Sequence, residues 1–180
     1  RLMRLFQYFI LLILLCGNGC YADDSGYNLE FTGTIVAQTC DVEISSLSQS
    51  IDLGQFSVED FPSTGTTTKF KPFNINLKNC SRGITGSKIW FTGIADSDNP
   101  ALLALSDTGM GSEKMLAGGV GVEILDEDQD AVSINNTSSV VYPLKTGRNT
   151  LSFYIRYKST RPTVTSGNAT AVMYFDLQYE

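Results

Sequence analysis

The chain has 180 residues, no histidine, and 13 Lys and Arg against 19 Asp and Glu, a net charge of −6. That length allows one domain with a short appendage. An acidic chain with no basic cluster is a poor partner for nucleic acid or an anionic membrane surface, and without histidine it lacks the commonest general base and nitrogen metal ligand.

Arg1 and Arg4 precede an almost unbroken apolar run over residues 6–16, and the small residues Cys20 and Ala22 stand at −3 and −1 of a cut after Ala22. This pattern predicts a secretory signal peptide over residues 1–22. The run is well short of the ~20 residues a spanning helix needs. A lipoprotein cut before Cys16 or Cys20 fits less well, because Leu15 is bulky for a cleavage site and Gly17 replaces the usual upstream Leu. Without the signal, residues 23–180 carry 11 basic against 19 acidic side chains, a net charge of −8. Cys40 and Cys80 remain as an even pair in an exported protein, which predicts a disulfide. Two lone cysteines with no histidine cannot complete a tetrahedral zinc site.

Residues 27–37 (YNLEFTGTIVA) alternate, with Tyr27, Leu29, Phe31, Gly33, Ile35 and Ala37 on one face. This predicts a strand, and a Gly inside a strand marks a bulge or a place where something packs very close. Residues 39–44 carry the first cysteine in a further extended segment, and residues 51–56 (IDLGQF) read as a short strand ending in a turn. After the polar loop 62–68, Phe73, Ile75 and Leu77 alternate toward Cys80, and residues 88–95 (KIWFTGIA) read as a central apolar strand. Residues 101–105 are too short to assign to strand or helical turn. Val120, Val122 and Ile124 alternate into a charged turn at 126–130, and residues 131–134 and 139–144 are short strands. Leu151, Phe153, Ile155 and Tyr157 alternate, and after a loop over 159–167 so do Ala171, Met173, Phe175, Leu177 and Tyr179. Eight or more short strands and no helix of three turns predict an all-β sandwich of the immunoglobulin type. The N-terminal strand is apolar on one face, and an unpaired edge beside an unfilled core is a hazard unless covered. That segment either folds into its own sandwich or fills the groove of another molecule.

The run Asp126, Asp128 and Asp130 has the spacing of a calcium loop, but Ala131 and Thr137 stand where that loop needs Gly and Glu, so it reads as a solvated turn. Trp90, between Ile89 and Phe91, reads as core filling rather than a sugar platform. No nucleophile elbow is present and the acids are scattered over strand ends and turns, so an enzyme is not expected.

An alternating extension, Leu29-Glu-Phe31-Thr-Gly33-Thr-Ile35, stands ahead of Thr39-Cys40; Tyr179 is the penultimate residue and Gly167 lies fourteen residues from the end. With the cysteine pair, these marks resemble the chaperone–usher pilin family, specifically type 1 fimbrial subunits. The segment 91–99 (FTGIADSDN), followed by residues 102–105, is most similar to minor tip-fibrillum adaptor subunits. The resemblance implies an incomplete immunoglobulin-like sandwich, a pilin fold lacking its seventh strand, completed by a donor strand from another subunit. It implies a donor extension over residues 23–38 and a pilin domain over 39–180. Tyr27, Leu29, Phe31, Gly33 and Ile35 would be the donor face. Gly167 with Ala171, Met173, Phe175, Leu177 and Tyr179 would form the groove-edge strand on which a periplasmic chaperone pairs. The implied partners are other pilin subunits, the chaperone and an outer-membrane usher, with no nucleic acid, membrane insertion or cofactor. The implied destination is the extracellular fimbrium of a Gram-negative bacterium. A single-domain, lectin-like surface adhesin is the alternative.

Overall fold

The computed structural model describes residues 32–35, 37–107, 115–136 and 141–180. The chain divides into two compact units, Arg1–Val36 and Ala37–Glu180. In the first, residues 32–35 are exposed and outside regular secondary structure. The predicted signal peptide and most of the predicted strand at 27–37 lie outside the described residues.

The second unit is a sandwich of antiparallel strands. The six-stranded sheet runs β1 (Asp41–Val42), β2 (Lys71–Cys80), β8 (Gly147–Ser159), β5 (Val120–Leu125) and β4 (Leu103–Ala104), with β6 (Ala131–Val132) also paired to β5. The three-stranded sheet runs β7 (Val141–Pro143), β3 (Gly86–Gly93) and β9 (Met173–Tyr179). The long strands are those whose side chains alternate most strictly. Phe73, Ile75 and Leu77 of β2 and Leu151, Phe153, Ile155 and Tyr157 of β8 all turn into the core and are buried. Between the sheets Phe73, Phe91 and Phe153 pack ring to ring, with centroids 4.9 to 5.9 Å apart. The predicted disulfide is present, joining Cys40 just before β1 to Cys80 at the end of β2.

Three local expectations differ from the structure. Residues 51–56 form no strand. Gly54 takes a φ of 95° and donates its N–H to Asp52 Oδ1 at 2.9 Å, a turn that bends the chain while Leu53 stays in the core. In the segment 39–44 only Asp41–Val42 pairs with β2, and one helical turn, α1 (Ile44–Leu47), follows. Ser46 drives that change: it is buried and its hydroxyl accepts the N–H of Asn76 at 2.9 Å. Trp90 does not fill the core. Its neighbours Ile89 and Phe91 are buried, so the two-residue period turns Trp90 to the outer face, half-buried and opposite Asp176.

All six residues of β5 are buried, including the outward-facing Glu123. Its carboxylate accepts hydrogen bonds from Arg156 Nε at 2.7 Å and Lys158 Nζ at 2.6 Å, both projecting from the adjacent β8. Burial works to raise this carboxyl, but the bonds from Lys158 and Arg156, with their charges, outweigh it and hold the pKa below its ordinary value. A lowered folded pKa stabilises fully above the ordinary carboxylate value and is lost as pH falls through the folded one. Glu123→Gln is therefore expected to lower stability by about 2 kcal/mol near neutral pH, and by less at pH ~3, below the ordinary carboxylate value. Urea unfolding of both proteins at the two pH values measures this, and an equal deficit at both would refute the ionic origin.

Candidate functional site

β9 is an edge strand: it pairs with β3 on one side, and no described strand pairs with the other. Its inward side chains, Met173, Phe175, Leu177 and Tyr179, pack against the core yet are only half-buried. The corresponding residues of β3 and β8 are buried. Side chains that point inward and remain accessible define an open apolar groove along β9. Ala171 and Ala169, on the segment leading into β9, are likewise half-buried against the core.

The ladder fixes which backbone groups lie on the open edge. Gly86 and Glu180 exchange both hydrogen bonds, at 2.8 and 3.3 Å. Antiparallel pairs alternate, so the next bonded pairs are Lys88 with Gln178, Trp90 with Asp176 and Thr92 with Tyr174. The N–H and C=O groups of Met173, Phe175, Leu177 and Tyr179 therefore point away from β3. The same four residues supply both the apolar floor and the main-chain edge. Asn135 shows the same alternation on the other side of β3: it donates its backbone N–H to Phe91 O at 2.7 Å, and its side chain bonds both backbone groups of Gly93.

Tyr179 closes one end. Its hydroxyl donates to Cys40 O at 3.2 Å, linking the edge of one sheet to the start of the other beside the disulfide. Burial, aided by the charge of Asp41, raises its pKa, so the phenol stays protonated and remains a donor. Beyond the other end of β9 lies Gly167. A Cβ there would collide with Met115 O and come within 2.5 Å of Ala117 N. The flanking contacts are short: Asn168 donates to Met115 O at 2.9 Å and Ala117 donates to Asn168 O at 2.8 Å. Gly167→Ala must push two backbone segments apart and is expected to destabilise by about 1–3 kcal/mol. Chemical denaturation tests this; a change below about 0.5 kcal/mol would show that the loop yields freely.

Of the predicted donor face, Gly33 and Ile35 are exposed, while Tyr27, Leu29 and Phe31 lie outside the described residues. The residues expected on the groove edge are brought together on β9 and the segment leading into it. Sequence reading missed Asn135 and Glu123; Glu123, a lone acid opposite Arg156 in an apolar strand, carried a signal only once the strand pairing was known. Among the described residues no group of His, Cys, Asp and Glu could hold a metal ion.

The family model described as "Fimbrial protein" matches residues 29–180. A fimbrial-like protein of Escherichia coli, YcbU, is 44% identical over 154 residues, covering 85% of this chain and 84% of that protein. The fimbrial subunit type 1 of Salmonella typhimurium is 36% identical over 157 residues, covering 86% of this chain and 83% of the relative. Among solved structures, the P pilus rod subunit PapA aligns with a TM-score of 0.62 and 26% identity, covering 78% of this chain and 99% of that one.

Proposed function

Because the chain belongs to the fimbrial protein family, whose members are structural subunits of pili, we propose that it polymerises by donor-strand complementation in the β9 groove. The observation that carries this reading is the coincidence, on Met173, Phe175, Leu177 and Tyr179, of half-exposed apolar side chains with outward main-chain groups. An added strand whose alternate side chains are apolar satisfies both at once. The extension 23–38 has that sequence pattern: five donor-face positions, Tyr27 to Ile35, would match the five groove positions, Ala171 to Tyr179, of another subunit. Gly33 suits a point where the groove is too shallow for a side chain.

Direction follows from where the chain enters the body. Cys40 lies at the Tyr179 end, so the subunit's own extension is joined there. A donor parallel to β9 would bring its own body to that same end, where the two would compete for space. An antiparallel donor places the next body at the Met173 end, and head-to-tail growth stays open. A periplasmic chaperone holds the groove before assembly, and exchange at an outer-membrane usher delivers the subunit to the extracellular fimbrium. The role needs no catalysis and no cofactor. A minor adaptor position near the tip is supported by the segment 91–105; immunogold label confined to tips is expected there, and label along the shaft would reassign it.

Phe31→Asp tests the joint. It places a charge on the donor face and leaves the groove untouched, so purified chaperone-bound variant is expected to give no detergent-resistant ladder. It should still accept a wild-type donor and end the chain there. A normal ladder from the variant alone would remove donor-strand polymerisation.

A further inference from the structure

We infer that the joint between subunits has a second part: the far end of the acceptor, beside Met173, docks the body of the donor subunit, a second copy of this chain. This rests on the donor-strand reading above. Three exposed apolar side chains stand together at that end. Ile94 is 68% exposed, Tyr174 67% and Val172 43%. They are cross-strand neighbours, because Gly93 pairs with Met173 and Thr92 with Tyr174. Exposed apolar patches of this kind mark interaction surfaces.

The connecting chain is short enough to force contact. A donor face ending at Ile35 is followed by only four residues before Cys40, which is tied to Cys80 in the donor's body. The five steps from Ile35 to Cys40 reach at most about 17 Å. The donor's entry end must therefore lie within that distance of the patch.

The charges at the two ends are opposite. The acceptor's far end carries Asp96, Asp98 and Asp107 against Arg161, which pairs with Asp98 at 2.6 Å. The entry end carries Arg82 and Lys145 on the loops beside Cys80, both exposed and without an ion pair among the described residues, and they outnumber Asp41 beside Cys40. These loops are held together, since Leu144 donates its N–H to Thr85 O at 3.1 Å. An acidic chain repels its own copies in general, and this arrangement favours one orientation: basic entry end against acidic, apolar far end. The contact stiffens a joint that a strand alone would leave hinged.

The test fills one acceptor in two ways: with a synthetic peptide of residues 23–38, or with a whole donor subunit whose own groove is held by chaperone. The whole subunit is expected to slow hydrogen exchange at residues 94–98 and 172–174 several-fold more than the peptide does, and its own residues 81–85 and 144–148 slow in step. A donor carrying Arg82→Glu and Lys145→Glu fills the groove but loses that extra protection and dissociates about tenfold faster. Arg82→Lys with Lys145→Arg keeps both. Equal protection by peptide and subunit, or a charge-reversed donor indistinguishable from wild type, overturns the docking contact while leaving strand exchange standing. Failure of both peptide and subunit to fill the groove overturns the donor-strand reading and this inference with it.

Discussion

A body lacking residues 23–38 is expected to melt about 15–25 °C higher once a saturating peptide of residues 27–36 is added. Leu29, Phe31 and Ile35 each bring roughly 2 kcal/mol of apolar burial to the groove. The floor they cover is already half-built, because Met173, Phe175, Leu177 and Tyr179 hold their inward positions against the core. Little ordering entropy is therefore spent on the acceptor side, and the peptide's own ordering is offset by main-chain bonds to the β9 edge. Scanning calorimetry across a peptide titration measures the shift. A melting point that stays fixed would mean the sandwich is complete without a donor. A peptide with Phe31→Asp should recover only a small part of the rise, because it asks the apolar groove to desolvate a carboxylate.

Opening the disulfide gives the second large effect. Cys40 and Cys80 close a loop with a sequence separation of 40, and losing that constraint on the unfolded chain costs about 4 kcal/mol. The melting point of the reduced protein, or of Cys40→Ser with Cys80→Ser, should fall by roughly 10–15 °C. The consequence reaches the groove. Cys40 O accepts the Tyr179 hydroxyl, so a loosened Cys40 frees the end of β9 from the start of β1. The double variant should bind donor peptide more weakly even well below its melting point, and Tyr179→Phe should share the weaker binding while melting much closer to wild type. Unchanged peptide affinity in the double variant would separate the disulfide from the groove and leave it a purely global staple.

Much of the fold was legible because alternation over seven or more residues carries its own meaning. β2, β8 and β9 were readable in this way, and the cysteine pair in an exported chain was readable as a bond. Short segments were less faithful. Ile51 and Leu53 alternate because they anchor a bent loop against the core, and period alone does not separate an anchored loop from a paired strand. Trp90 sat among apolar neighbours, but its side was set by the parity of Ile89 and Phe91, which only their burial reveals.

The sequence by itself determined the two-residue periods, the apolar alternation of residues 27–37, the disulfide partners and the terminal marks of the family, all of which are local or pairwise properties of the chain. The tertiary structure decided what depends on long-range pairing: that β9 lies beside β3 with its other edge open, that Gly167 must be bare because another backbone passes over it, that Glu123 is buried between two cations, and that Ile94, Val172 and Tyr174 meet at one end. Alternation states which residues share a face. Which face finds a neighbour is set by strands distant in sequence, and that is why the groove becomes visible only when both sheets are in place.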